Sequence, residues 1–294
     1  MNPFPINFTS ILVFGLLAKV GAVTVPRPKV QFLSHQKILR STDKMVMVSI
    51  PAGEFFMGSD KPLHENAEKP SMLVKMSAYW IDQYEVNQVQ YNLCIKAGAC
   101  NAKLADVYAS NPLDLPMSRL DWEEARAYCR WLGMDLPSES QWEFSSRGTL
   151  SMIYPWGNSV FPSAMKTSFR ATISYPQPLS KPISTTSTSV YDSSAFRVYH
   201  LGGNVSEWVL DSAEIDIKGF TLPRKLSSTE KDKRRSVDFL FTEPTDYRVV
   251  KGASYTFYFP SYQRGSFRRG TKKYIRSVDI GFRCASKPVL FQSE

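Results

Sequence analysis

Histidine is nearly missing from this chain: His35, His64 and His200 are the only three in 294 residues. With four cysteines at no zinc-finger spacing, these scattered imidazoles cannot supply the closely spaced ligands of a structural zinc site. No leucine heptad is present and most basic residues are dispersed, which disfavours a nucleic-acid reader. Past the N-terminus no run reaches the roughly 20 apolar residues of a spanning helix. Once an N-terminal signal is removed, no membrane-spanning segment is expected.

The residues present describe a folded domain. Apolar types make up 43%, with 18 Phe, 14 Tyr and 6 Trp, enough for a sizeable core. The 19 Pro and 15 Gly are scattered, as expected for short elements joined by many turns. A formal charge of +9, from 36 Lys and Arg against 27 Asp and Glu, points to an anionic partner or surface.

Residues 1–22 resemble a secretory signal: an uncharged start, the apolar run Ile11 to Ala18, then small residues in Val20-Gly21-Ala22. No Lys or Arg precedes the run and Lys19 sits near its end, so a buried strand or an uncleaved anchor competes. Residues 23–43 read as a polar, basic linker or arm, 44–287 as the domain, and 288–294 as a tail. Export would place the protein outside the cell, in a periplasm or in the envelope, where four cysteines form disulfides. Cys94 and Cys100 can close a small loop turned by Gly98, leaving Cys129 and Cys284 as a long-range pair.

Within the domain, Met45 to Ile50 and Glu54 to Gly58 read as a hairpin, and Val74 to Asp82 as one further strand. Capping patterns open three helices: Asn87 with Gln90, Asp121 with Glu124, and Ser138 with Gln141. In the first, Val89 and Leu93 carry the apolar face; in the second, Trp122, Ala125, Cys129 and Leu132 share one. Residues 159–198 and 213–246 read as loops, the latter with the charge run Lys231 to Arg235. Val249-Val250 and Ile280 to Ala285 read as terminal strands, giving an α+β fold.

Six blocks carry a family resemblance. They are Ile50-Pro51-Ala52-Gly53 to Ser59, Tyr84-Glu85-Val86-Asn87 with Gln90-Tyr91, and Arg119-Leu120-Asp121-Trp122 running to Tyr128-Cys129. Leu136-Pro137-Ser138-Glu139 to Phe144, Gly203-Asn204-Val205-Ser206-Glu207-Trp208, and Lys251-Gly252-Ala253-Ser254-Tyr255 to Gly281-Phe282-Arg283-Cys284 complete them. In that order they resemble the formylglycine-generating enzyme, or sulfatase-modifying factor, domain family. The resemblance implies its variant of the C-type-lectin-like fold, with Cys129 and Cys284 matching a structural disulfide.

Active members of that family oxidise a cysteine of an unfolded sulfatase segment with oxygen and copper held by two cysteines. Soft thiolates suit monovalent copper, but the matching positions here are Phe257 and Tyr262. The family's iron-dependent sulfoxide synthases use a histidine-rich helical region that this chain lacks. The resemblance also implies one structural calcium site at Gly203, Val205 and Glu207, where the family's further oxygen ligand is replaced by His200. Ser206 stands where the family usually has Trp, and no asparagine marks a second calcium site. Copper, iron and zinc are not expected.

The favoured expectation is a non-catalytic binding or structural protein, recognising an anionic polysaccharide or a protein partner. Its ligand-facing candidates are Ser254, Tyr258, Tyr262, Arg264, Arg268 and Arg269, in a segment that interleaves aromatic and basic residues. The alternative is an oxidoreductase or other modifying enzyme of exported polypeptides, with Ser254, Phe257, Tyr262 and Arg283 lining its pocket. Cys94 and Cys100 discriminate: beside Tyr262 they would serve redox exchange, and in a remote loop they would not.

Overall fold

Reciprocal caps start three of the described helices at the expected positions. Asn87 Oδ1 accepts from Gln90 N at 2.9 Å while Gln90 Oε1 accepts from Asn87 N at 3.0 Å, opening α1 (Gln88–Lys96). The same two-way bonding opens α2 (Trp122–Trp131) at Asp121 and Glu124, and α3 (Glu139–Arg147) at Ser138 and Gln141. Each cap satisfies end N–H groups that no helical carbonyl can reach. Past α1, Gly98 at φ +71° takes a left-handed turn that a side chain would resist. On α1 the buried side chains are Gln88, Gln90, Tyr91 and Cys94, whereas Val89 is 43% exposed, so Tyr91 and Cys94 carry the apolar packing in place of Val89.

The computed structural model describes residues 29–34, 36–101, 113–160, 182–186, 193–214, 221, 235–236, 246–257, 259–286 and 292–293. The signal-like segment, most of the two long loops, the charges Lys231 to Arg234, and Tyr258 lie outside the described residues.

Among the described residues the strands arrange in three sheets. The largest orders β12 (Ala285–Ser286), β6 (Tyr79–Asp82), β3 (Val46–Ile50), β2 (Lys37–Arg40), β1 (Lys29–Ser34) and β13 (Gln292–Ser293). The second orders β10 (Arg268–Lys272), β9 (Tyr247–Lys251), β7 (Ser206–Ser212) and β11 (Ile280–Gly281), and the third β4 (Gly53–Met57), β5 (Met72–Met76) and β8 (Arg235–Ser236). One core cluster packs Ile38, Tyr91, Tyr128, Trp208 and Phe282; another packs Ile50, Phe55, Trp142 and Phe144.

Several boundaries differ from the sequence expectation. β3 and β4 are consecutive but form no hairpin, because β3 pairs with β2 and β6 while β4 pairs with β5. Pro51 cannot donate to a ladder, so the chain changes sheets there. The expected single strand Val74 to Asp82 is likewise two strands in two sheets, parted at Ser77-Ala78. The arm 23–43 contributes β1 and β2, and the tail 288–294 contributes β13, paired in parallel with β1. Arg40 and Asp43, two polar residues of that arm, are buried against one another. The block at Gly203 runs straight into β7, a central strand whose near-continuous burial hides the alternation that marks strands in sequence.

Arg40 holds the largest sheet to α2. Its Nε and Nη2 donate to Asp43 at 2.7 and 2.6 Å, its Nη1 to Asp82 at 2.7 Å, and Tyr128 of α2 donates to Asp43 at 2.5 Å. Truncating one partner strands buried charges of the other sign. Arg40→Ala is therefore expected to lower unfolding free energy by about 3–5 kcal/mol in chemical denaturation. Arg276, whose side chain is 48% exposed in its pair with Asp121, should cost at most about 1 kcal/mol on the same change. Equal effects would show that the buried pair is not what ties the arm down.

Candidate ligand-binding site

Strand β10 separates two neighbouring arginines, because successive side chains of a strand point to opposite faces. Arg268 turns inward to α3, where Nε and Nη2 donate to the two oxygens of Glu139 at 2.8 and 3.0 Å. Register sets Arg268 across from Lys251 on β9, and like charges in that position repel. The carboxylates of α3 offset this: Lys251 Nζ lies 2.9 Å from Glu143 and 3.6 Å from Glu139. Arg264 is committed in the same way, donating to Glu68 of the 3-10 turn Asn66–Glu68 at 2.5 and 3.3 Å, with Ser266 Oγ adding a bond at 2.5 Å. Burial alone would raise the Glu68 carboxyl, but the bonds from Arg264 and Ser266 outweigh it and hold the pKa below the ordinary value.

Arg264 and Arg268, expected to face a ligand, are thus buried structural cations, 6% and 5% exposed. Carboxylates distant in sequence claim both guanidinium groups, a pairing that local composition does not display.

Arg269 occupies the other face. Its Cζ lies 4.8 Å from the centroid of the Phe257 ring, and its side chain keeps 25% exposure. Nη2 is buried without a hydrogen-bond partner among the described residues and lies 4.0 Å from Asp279 Oδ2. Burial pushes this guanidinium down from its ordinary pKa, against the attraction of Asp279. Asp279 in turn is occupied by hydroxyls: Oδ2 accepts from Ser254 Oγ at 3.0 Å and Thr256 Oγ1 at 2.7 Å, and Oδ1 accepts from Ser277 Oγ.

Aromatic rings complete the surface. Tyr262 lies on the short helix α4 (Pro260–Gln263), with its ring centroid 5.5 Å from Phe257, 6.1 Å from Phe259 and 4.9 Å from Phe267. Phe257 and Phe259 are 42% and 52% exposed. Of the expected site, Ser254, Phe257, Tyr262 and Arg269 come together. Asp279, Thr256, Ser277 and Phe267 were missed; the only signal was a lone acid between Val278 and Ile280 at the entrance to the last block.

At Phe257 and Tyr262, the positions that the resemblance matches to the family's copper-binding cysteines, an aryl ring and a phenol stand in place of thiolates, so these residues do not fit that ion. All four cysteines are paired, Cys94 with Cys100 and Cys129 with Cys284, at Cα separations of 5.3 and 5.5 Å. Cys94 and Cys100 lie in the core cluster with Tyr91 and Tyr128, whereas Tyr262 packs on Phe257, Phe259 and Phe267 outside that cluster.

The loop at Gly203, Val205 and Glu207 is held by other bonds. Glu207 Oε2 and Oε1 accept from Arg283 Nε and Nη2, both at 2.7 Å, and Trp142 Nε1 adds a bond at 2.8 Å. His200 Nδ1 lies 2.6 Å from Glu85 Oε2, and Asn204 Nδ2 donates to Glu85 Oε1 at 3.1 Å. With a guanidinium already on its carboxylate, Glu207 in this rotamer is a poor calcium ligand. Ser206 fills the place of the family's Trp by donating to the Gly252 carbonyl at 3.0 Å. Arg283, a pocket candidate in the enzymatic reading, is fully buried in these bonds.

A disulfide-tied α+β domain whose last block folds back on the loop before β7 defines a class, the formylglycine-generating-enzyme variant of the C-type-lectin-like fold. The chain belongs to the sulfatase-modifying factor enzyme 1-like domain family, whose model matches residues 34–288. It is 26% identical over 298 residues to the formylglycine-generating enzyme of Mus musculus, covering 82% of this chain and 74% of that protein. It is also 26% identical over 163 residues to the inactive C-alpha-formylglycine-generating enzyme 2 of Bos taurus, covering 40% of this chain and 54% of that one. Among solved structures, PvdO from Pseudomonas aeruginosa shares the fold at a TM-score of 0.59 and 19% identity, over 89% of this chain and 99% of that one.

Asp279 provides a pH test. Burial would raise its carboxyl, yet the hydroxyls of Ser277, Thr256 and Ser254 and the charge of Arg269 leave the pKa below 3.8. A depressed folded pKa contributes stability above the unfolded value, lost as pH falls through the folded one. Asp279→Asn should therefore be less stable than the parent at neutral pH. The gap between their urea midpoints should narrow below pH 3.8. A gap unchanged into acid would show that the charge of Asp279 does not hold the site.

Proposed function

We propose that this protein is a non-catalytic binding or structural member of its family, placed in the cell envelope or exterior, with an anionic glycan or protein as partner. One observation carries the reading: Phe257 and Tyr262, at the positions of the copper-binding thiolates, pack ring against ring while every cysteine is in a disulfide. Copper–oxygen chemistry on a substrate thiol needs sulfur ligands that an aryl ring and a phenol do not supply. The family includes a member named inactive, so loss of the activity on this scaffold has precedent. Two disulfides favour an oxidising compartment. Among the described residues no helix is long and apolar enough to cross a membrane.

The alternative, an oxidoreductase of exported polypeptides, draws no support from Cys94 and Cys100, which sit in the core and are bonded to one another. Incubating the purified chain with copper, oxygen and a cysteine-bearing sulfatase peptide tests the reading. The peptide should stay unoxidised by mass spectrometry, the protein should bind no stoichiometric copper, and thiol titration should find no free cysteine. Formylglycine in the peptide would overturn the non-catalytic assignment. Calcium at the Gly203 loop is tested separately by calorimetric titration, in which absence of heat would dismiss it.

A further inference from the structure

Three arginines of the 264–269 segment make a comparison within one molecule. Arg264 and Arg268 each give two N–H groups to a buried carboxylate, but Nη2 of Arg269 has none to give to. A guanidinium carries five N–H donors, and a buried donor without an acceptor is destabilising. Among the described residues Arg269 has the Phe257 ring and, at 4.0 Å, the charge of Asp279, and the 25% of its side chain left exposed is where an incoming carboxylate can meet it.

The surroundings narrow what that acceptor belongs to. Phe257 and Phe259 present apolar rings to solvent beside the cation. Sugars need several polar partners around their hydroxyls, and here the hydroxyls of Ser254, Thr256 and Ser277 are all donated to Asp279. A polypeptide needs less: one carboxylate to pair with the exposed part of Arg269, and an apolar side chain for the rings. The charge of +9 favours an acidic partner in the approach as well as in the contact.

The geometry points to Arg269, Phe257, Phe259 and Tyr262 as the docking site for an acidic–apolar segment of a partner polypeptide, its carboxylate on Arg269 and its apolar side chain on the exposed rings. This rests on the non-catalytic binding reading and chooses protein over polysaccharide within it.

Selection of a random peptide library displayed on phage against the full chain tests the proposal, with oligogalacturonate as the acidic-sugar probe in parallel. Selected peptides should be enriched in Asp or Glu close to Phe, Leu or Trp. Their synthetic forms should bind Arg269→Gln about tenfold or more weakly, the loss of one charge-assisted contact. Phe257→Ala should weaken them too, and Arg276→Gln, which removes the same charge elsewhere, should not. Nη2 of Arg269 makes no hydrogen bond among the described residues, and circular dichroism verifies that each variant is folded. Failure to enrich any binder, enrichment without acidic residues, or binding indifferent to Arg269→Gln overturns the proposal. Binding of oligogalacturonate lost in Arg269→Gln would overturn it too, while leaving the non-catalytic reading intact. Formylglycine production would instead strike the reading beneath it.

Discussion

The fold depends on the guanidinium of Arg283. It stands between β11 and β12, strands of different sheets, and next to Cys284. Nε and Nη2 donate to Glu207 of β7, Nη1 to the carbonyls of Asp82 and Gln83 at 3.1 and 3.2 Å, and Nη2 also to Tyr199 at 2.8 Å. A charge this deep is tolerated only when its donors are all met, and removing its carboxylate partner costs far more than the pair contributes. Arg283 thus brings two sheets and the loop before β7 to one point. The disulfide from Cys284 to Cys129 fastens α2 beside it.

The same rule of matched buried charge recurs and explains what the C-terminal block can do. Arg40 is met by Asp43 and Asp82, Lys251 by Glu143, Arg268 by Glu139, and Arg264 by Glu68. Against these, the exposed face of β10 stands apart: an arginine stacked on a phenyl ring, a carboxylate nearby that hydroxyls already satisfy, and rings open to solvent. Neither Phe257 nor Tyr262 carries sulfur, so this face offers rings and a guanidinium and no thiolate to hold a soft metal ion. Capacity left over, rather than charge as such, separates a recognition residue from a structural one.

Helices were the most legible part of the sequence. Asn87, Asp121 and Ser138 announce their starts because capping is local, set between residues three apart in the chain. Strand pairing was not legible to the same degree: β3 and β4 look like a hairpin by composition, and the partner of each strand lies elsewhere. The site was half legible. Phe257 and Tyr262 were found by register against the family blocks, whereas Asp279 and the carboxylates that claim Arg264 and Arg268 gave almost no local sign.

By itself the sequence determined the family, the helix starts, the two disulfides and the aromatic, sulfur-free side chains at 257 and 262. Each of these is a matter of residue identity and short spacing. Only the tertiary structure decided which of three clustered arginines remains open. Glu68 lies 196 residues from Arg264, and Glu139 lies 129 residues from Arg268. Buried charges find their partners through space, and chain distance carries no record of which pairs will meet.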